Sequence, residues 1–97
     1  MEERMFIPLT ELCEIYQIDI VFFDTLVEYE LVEIVEENQT KHLPLTAIDR
    51  FEQIVRLHRD LQVNLEGVDV ILNLLNQLNS LEKEREILRN RLRFYED

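Results

Sequence analysis

The sequence predicts a mainly α-helical fold made of a helix-turn-helix, a small β-hairpin wing and a long C-terminal coiled-coil helix. The 97-residue chain has one glycine and two prolines and is rich in Leu, Ile and Glu, which is typical of helical proteins. Two short apolar segments with helical spacing flank Gln17-Ile18, and from residue 71 apolar residues recur at alternating three- and four-residue steps. We therefore expect a winged helix-turn-helix domain at residues 1–66 and a C-terminal helix at residues 67–97.

Strand and cap signals place the first elements. The apolar run that ends at Pro8 predicts a short edge strand, because proline cannot donate a hydrogen bond inside a sheet. Thr10 is suited to cap a first helix that reaches Tyr16, and Asp19 is suited to cap the second. We expect the apolar face of the second helix to consist of Phe22, Phe23, Leu26, Val27 and Tyr29.

The middle of the chain predicts a wing and a third helix. Apolar residues on either side of a polar turn at residues 36–40 indicate two short strands. Thr46 and Asp49 have the spacing of a capping box at the start of the third helix, and Asn64 is a candidate cap for the helix that follows. The predicted buried stripe of the third helix consists of Ala47, Phe51, Ile54, Val55 and Leu61.

The C-terminal segment has the heptad pattern of a coiled coil. The two core positions are Ile71, Leu78, Arg85 and Leu92, and Leu74, Leu81, Leu88 and Tyr95. One alternative is that the helix packs on its own domain, and we expect this to about Leu78, with a break between Asn76 and Ser80. Beyond that point little of the domain is left to cover it, so we expect a homodimer or docking on another chain. The predicted interface residues are Leu78, Leu81, Leu88, Leu92 and Tyr95.

Charge argues against nucleic acid as the partner. The net charge is −11, and residues 1–40 hold eleven acids against Arg4 alone, whereas residues 41–97 hold ten acids against nine bases. A DNA-reading helix needs Lys, Arg, Asn or Gln near base edges and phosphates. The second helix instead offers carboxylates suited to a basic protein surface, and the predicted contact residues are Asp19, Asp24, Glu28 and Glu30.

Residues that would indicate catalysis or a cofactor are missing. No nucleophile is paired with a base, and Gly67 is the single glycine, so there is no glycine-rich phosphate loop. His58 is expected to be packed and hydrogen-bonded rather than a metal ligand, and the lone thiol of Cys13 is expected to pack in the core. We therefore expect no enzyme activity, no cofactor and no metal.

We also expect no membrane span and no export signal. Its start is acidic and has no long apolar run, and no segment approaches the ~18 apolar residues of a membrane span. We therefore expect a cytoplasmic protein.

Three stretches carry a resemblance to a known family. Thr10-Glu-Leu-Cys13 is similar to that family's opening helix, and Ile18 to Glu33 is similar to its second helix and the entry to its wing. The third stretch, similar to its third helix and coiled coil, comprises Val55-Arg-Leu-His-Arg-Asp-Leu61, Gly67-Val68 and Leu88-Arg-Asn-Arg-Leu92. In this order they resemble the chaperone-modulator CbpM family, a branch of the MerR-like winged helix-turn-helix fold.

This resemblance implies binding to the J domain of a CbpA-like co-chaperone. Such binding would mask the surface that engages a DnaK-type chaperone and so inhibit the co-chaperone. DNA-binding MerR relatives usually carry an Arg followed by a pair of Tyr in helix two, where this chain has Phe22-Phe23-Asp24. A MerR-type transcriptional regulator is the first alternative, with Arg50, Arg56 and Lys41 as its phosphate contacts, and a generic coiled-coil adaptor is the second.

Overall fold

The computed structural model describes residues 5–96. Its helices and strands are β1 (Phe6–Pro8), α1 (Leu9–Tyr16), α2 (Val21–Glu28), β2 (Val35–Glu37), β3 (Thr40–Pro44), α3 (Ile48–Val55) and α4 (Leu65–Glu96). A 3-10 turn at Leu45–Ala47 precedes α3, and a π-helical turn at Arg56–Asp60 extends it. This order confirms the predicted mainly α fold with a helix-turn-helix, a hairpin wing and a long C-terminal helix.

The three strands form one small antiparallel sheet in the order β1-β3-β2. The predicted edge position of β1 is therefore confirmed. The polar turn of the wing is shorter than expected, because only Asn38 and Gln39 lie between the strands. Both have positive φ values, 51° and 63°, as a tight two-residue hairpin turn requires. Glu36 and Glu37 consequently lie in β2 rather than in the turn.

The core is built around the ring of Phe51 in α3. Phe23 from α2 stacks on this ring with centroids 5.2 Å apart, and Tyr16 from α1 meets it edge-on at 5.3 Å. Both arrangements are favoured for aromatic pairs. The remaining fully buried side chains around them are Leu12, Leu26, Leu31, Leu43, Ile54 and Val68. One aromatic cluster thus sets the relative positions of α1, α2 and α3.

Two of the four predicted caps are confirmed. An Asp19 carboxylate oxygen accepts a hydrogen bond from the Val21 amide at 3.0 Å, and the Asn64 side chain accepts one from the Gly67 amide at 2.7 Å. The Thr10 prediction is wrong, since β1 ends at Pro8 and α1 begins directly after it. Thr46 does not cap α3 either, because it lies inside the 3-10 turn, where its backbone is not extended.

Three residues assigned to buried faces are exposed. Leu61 is 61% exposed because the π-helical turn shifts the register of the third helix and ends it at Asp60. Val27 and Tyr29 are 44% and 41% exposed. The eight-residue α2 turns Phe23 and Leu26 fully inward, and Tyr29 lies beyond its end.

Helix α4 is continuous, so the predicted break between Asn76 and Ser80 is wrong. Its first turns join the core through Leu65, Val68 and Leu72, and every described residue from Asn73 onward is exposed. A Cβ atom on Gly67 would lie 2.9 Å from Cγ1 of Val63, so glycine lets the start of α4 approach the preceding turn. Within residues 5–96, no helix has the length and apolarity that crossing a membrane requires.

Tyr16 links the first and third helices through its hydroxyl group. The hydroxyl donates a hydrogen bond of 2.7 Å to Oε1 of Glu52. This bond, together with partial burial and the charge of Glu52, raises the pKa of Tyr16 to about 12. The protonated phenol is therefore favoured in the folded state.

We expect Tyr16→Phe to lower the free energy of unfolding by about 1 kcal/mol at pH 8, because one hydrogen bond to a charged acceptor is lost. The deficit should shrink as the pH rises from about 10, the ordinary pKa of tyrosine in an unfolded chain, towards about 12, where the folded phenol ionises. Urea unfolding of both proteins at pH 8 and pH 11 measures this. A deficit that stays constant with pH would show that the ring, and not the hydroxyl, stabilises the fold.

Candidate functional site

The predicted contact residues Asp19, Asp24, Glu28 and Glu30 all lie on the exposed side of α2 and its ends. Asp19 precedes the helix, Asp24 lies in its first turn and Glu28 is its last residue. Glu30 follows the helix with a φ of 58°, where the chain turns towards the wing. All four carboxylates are exposed, with Asp24 on the side of α2 near the wing and Asp19 near His58 and Arg59.

The wing extends this negative surface. Glu33, Glu36 and Glu37 are exposed, and Lys41 is the single base of the wing. Among residues 5–96, none of the carboxylates of α2 or the wing lies within 4 Å of a cationic side chain; the ion pairs join Arg59 to Asp60 and Arg85 to Glu82. The negative charge of this surface is thus free to attract an external cation or basic surface.

A groove of about 240 Å³ separates α2 from the wing. We call it the α2–wing groove, and its lining residues are Leu9, Phe23, Asp24, Val27, Ile34, Glu36 and Lys41. Leu9 and Phe23 are buried beneath it, and the more exposed Val27 and Ile34 form its apolar floor. Asp24, Glu36 and Lys41 are exposed and form its charged rim.

Exposed apolar residues on α2 were missed by the sequence reasoning. Ile20, Val21 and Val27 are 46%, 60% and 44% exposed and lie among the carboxylates. The signal that could have identified them is helix length. A helix of only eight residues has room for one inward stripe, so the remaining apolar side chains must face outward.

Hydrogen bonds from α3 and the turn that follows it reach the chain on either side of α2. Nε of Arg50 donates to the carbonyl oxygen of Leu31 at 2.8 Å, and Arg59 donates to the carbonyl oxygen of Tyr16. His58 stacks on Phe22 with centroids 5.6 Å apart. Arg50, one of the three phosphate contacts predicted for a transcriptional regulator, is therefore bonded within the domain.

The predicted packing and hydrogen bonding of His58 and the predicted packing of Cys13 are confirmed. Nδ1 of His58 lies 2.8 Å from the carbonyl oxygen of Val63, which accepts its hydrogen bond. Cys13 packs against the core, and burial, followed by the charge of Asp19, raises the pKa of its thiol. Over residues 5–96, no group of three or more His, Cys, Asp or Glu side chains is arranged to hold a metal ion.

The five predicted interface residues on α4 are exposed in the single chain. Their exposed fractions are 56% for Leu78, 60% for Leu81, 53% for Leu88, 62% for Leu92 and 83% for Tyr95. Arg85, which interrupts the heptad seam, pairs with Glu82 at 3.5 Å on the same helix. The seam is therefore an exposed apolar stripe that only Arg85 interrupts.

Comparison with known proteins gives one family match. A family model described as MerR HTH family regulatory protein matches residues 7–90. The match begins in β1 and ends within α4, so it covers both the winged domain and most of the C-terminal helix. No curated protein and no solved structure matches the chain.

We expect Arg50→Ala to lower the free energy of unfolding by about 1–2 kcal/mol, because it leaves the carbonyl group of Leu31 without its donor. Arg56→Ala is the matched control, since Arg56 is exposed and should matter by less than about 0.5 kcal/mol. Urea unfolding measures both. Equal effects would contradict a structural role for Arg50.

Proposed function

The chain belongs to the MerR HTH family of regulatory proteins, and we propose that within it the chain acts as a chaperone modulator. Its partner is the J domain of a CbpA-like DnaJ-type co-chaperone, and binding masks the surface that engages a DnaK-type chaperone. The observation that carries this proposal is the acidic helix α2. From Ile18 to Thr40 the chain has no basic residue, although this region has the shape of a nucleic-acid reader.

Electrostatic complementarity supports a basic protein as the partner. J domains present a basic helix to their chaperone, and the exposed carboxylates of α2 and the wing have no cationic partner within the described residues. Charge of one sign on one surface accelerates encounter with the opposite sign and excludes wrong partners. Phosphate backbones are repelled by the same surface.

Apolar area on α2 supports a folded partner rather than a free ion. Ile20, Val21 and Val27 are each about half exposed and lie beside Asp24 and Glu28. Protein interfaces combine an apolar centre with a polar rim, and the apolar part supplies most of the affinity. A basic amphipathic helix offers both elements in matching positions.

A MerR-type transcriptional regulator is the second candidate, and the family description is compatible with it. Arg50, one of its three proposed phosphate contacts, is bonded to the carbonyl oxygen of Leu31. Arg56 and Lys41 remain exposed, but residues 1–40 carry a net charge of −10, which opposes phosphate binding. Retention of duplex DNA at about 0.15 M salt would support this candidate over the chaperone modulator.

We also propose that the chain forms a homodimer through α4. The apolar stripe from Leu78 to Tyr95 has heptad spacing and is more than half exposed in the single chain. A stripe of this kind is stabilised when it packs against a second helix. Pairing would place two acidic surfaces on one particle.

We expect reversal of Asp24 and Glu30 to Lys to raise the Kd for the J domain by about tenfold or more, because attraction becomes repulsion. The matched control is reversal of Glu66 and Glu86, which changes the charge equally. Glu66, like Asp24, lies in the first turn of a helix, so both variants lose the same favourable dipole interaction. Calorimetric titration measures binding, and suppression of J-domain-stimulated ATPase activity measures inhibition.

Two outcomes would contradict this. If the wild-type chain fails to bind any J-domain protein of its own cell at low salt, the modulator proposal is wrong. If both double reversals weaken binding equally, only the net charge matters and the contact surface is not on α2.

We expect light scattering to give twice the chain mass for the wild type and to show dissociation for Leu88→Glu, because a charge then enters the seam. Phe94→Glu is the control: Phe94 is 80% exposed but lies outside the heptad core positions. A strict monomer at high concentration, or equal dissociation of both variants, would contradict dimerisation through this seam.

A further inference from the structure

We infer that the α2–wing groove is a socket for one lysine or arginine side chain of the basic partner helix. In this arrangement the aliphatic stem lies on the apolar floor and the charged head lies between the carboxylates of Asp24 and Glu36. This inference rests on the proposed function and adds to it a position and a chemistry for one contact.

The dimensions of the groove favour a single side chain. Its volume of about 240 Å³ falls below the roughly 300–1,000 Å³ of pockets that hold small molecules. Leu9 and Phe23 are already buried beneath it, and Val27 at its edge is 44% exposed. A long aliphatic stem can cover this apolar surface while its charged head stays near water.

The rim supplies the charge that such a side chain needs. Asp24 and Glu36 come from different elements, α2 and β2, and both line the groove. Neither carboxylate has a cationic partner within 4 Å among residues 5–96. A cation placed between them would form charge-assisted hydrogen bonds, which are stronger than neutral ones.

Lys41 adds a positive charge to the lining of the proposed socket. It is paired with Glu36 across the β2–β3 register and lines the same groove, yet it forms no ion pair within the described part of the chain. Its positive charge competes with an incoming cation for the same two carboxylates. Removal of this charge should therefore strengthen binding, which a purely structural role of the wing would not produce.

The wing also provides a matched control. Side chains alternate between the two faces of a strand, so Glu37 points away from the face on which Glu36 lines the groove. Glu36→Gln and Glu37→Gln change the net charge equally and affect adjacent exposed positions. They differ in whether the lost carboxylate belongs to the socket.

The test is calorimetric titration of the full chain with the folded J domain at about 0.15 M salt. We expect Glu36→Gln to raise the Kd by about tenfold, Lys41→Gln to lower it by about threefold, and Glu37→Gln to change it by less than about twofold. Circular dichroism melts confirm that each variant is folded. In parallel, the methyl signals of Val27 and Ile34 should shift in NMR spectra when the J domain is added.

The outcomes separate the inference from the proposed function. Tight wild-type binding with equal effects of Glu36→Gln and Glu37→Gln, or weaker binding of Lys41→Gln, would overturn the socket and leave the modulator proposal standing. No wild-type binding at low salt would overturn both.

Discussion

The fold depends on the packing of two aromatic rings, those of Phe23 and Tyr16, against the ring of Phe51. The stacked contact with Phe23 and the edge-on contact with Tyr16 tie α2 and α1 to the same side chain of α3. Because protein interiors are close-packed, this arrangement leaves α2 little freedom to rotate. It therefore decides which residues of α2 face inward and which carboxylates face outward. The charge of the exposed surface is thus a consequence of how the core is packed.

The family match and the surface charge of this chain describe different properties, the fold and its binding preference. The match to the MerR HTH family extends over residues 7–90, which run from β1 into α4. The surface of α2 and the wing carries carboxylates where a reader of nucleic acid needs bases. A fold supports many functions, and the site decides among them. For this chain the candidate site is negative and partly apolar, and Arg50 of α3 donates a hydrogen bond to the carbonyl oxygen of Leu31 just beyond α2.

Sequence patterns predicted the elements that local chemistry determines, and failed where tertiary packing determines the structure. The helix-turn-helix, the edge strand at Pro8 and the caps at Asp19 and Asn64 were predictable because each follows from local chemistry. The exposure of Leu61 was not predictable, since it depends on a π-helical turn that no residue type indicates. The continuity of α4 through residues 76–80 was missed because polar residues there resemble a linker. The α2–wing groove was also missed, because Asp24 and Glu36 come to line one groove only through the packing of the wing.

The turns of this molecule are made almost without glycine. Within residues 5–96, the residues with positive φ are Gln17, Glu30, Asn38, Gln39 and Gln62. A left-handed backbone costs an ordinary L-residue roughly 1–2 kcal/mol, so these turns are not stable by themselves. A chain poor in glycine also has fewer conformations to lose when it folds. The turns therefore form together with the core that holds them, and we expect the wing and the helix-turn-helix to unfold as one cooperative unit rather than piece by piece.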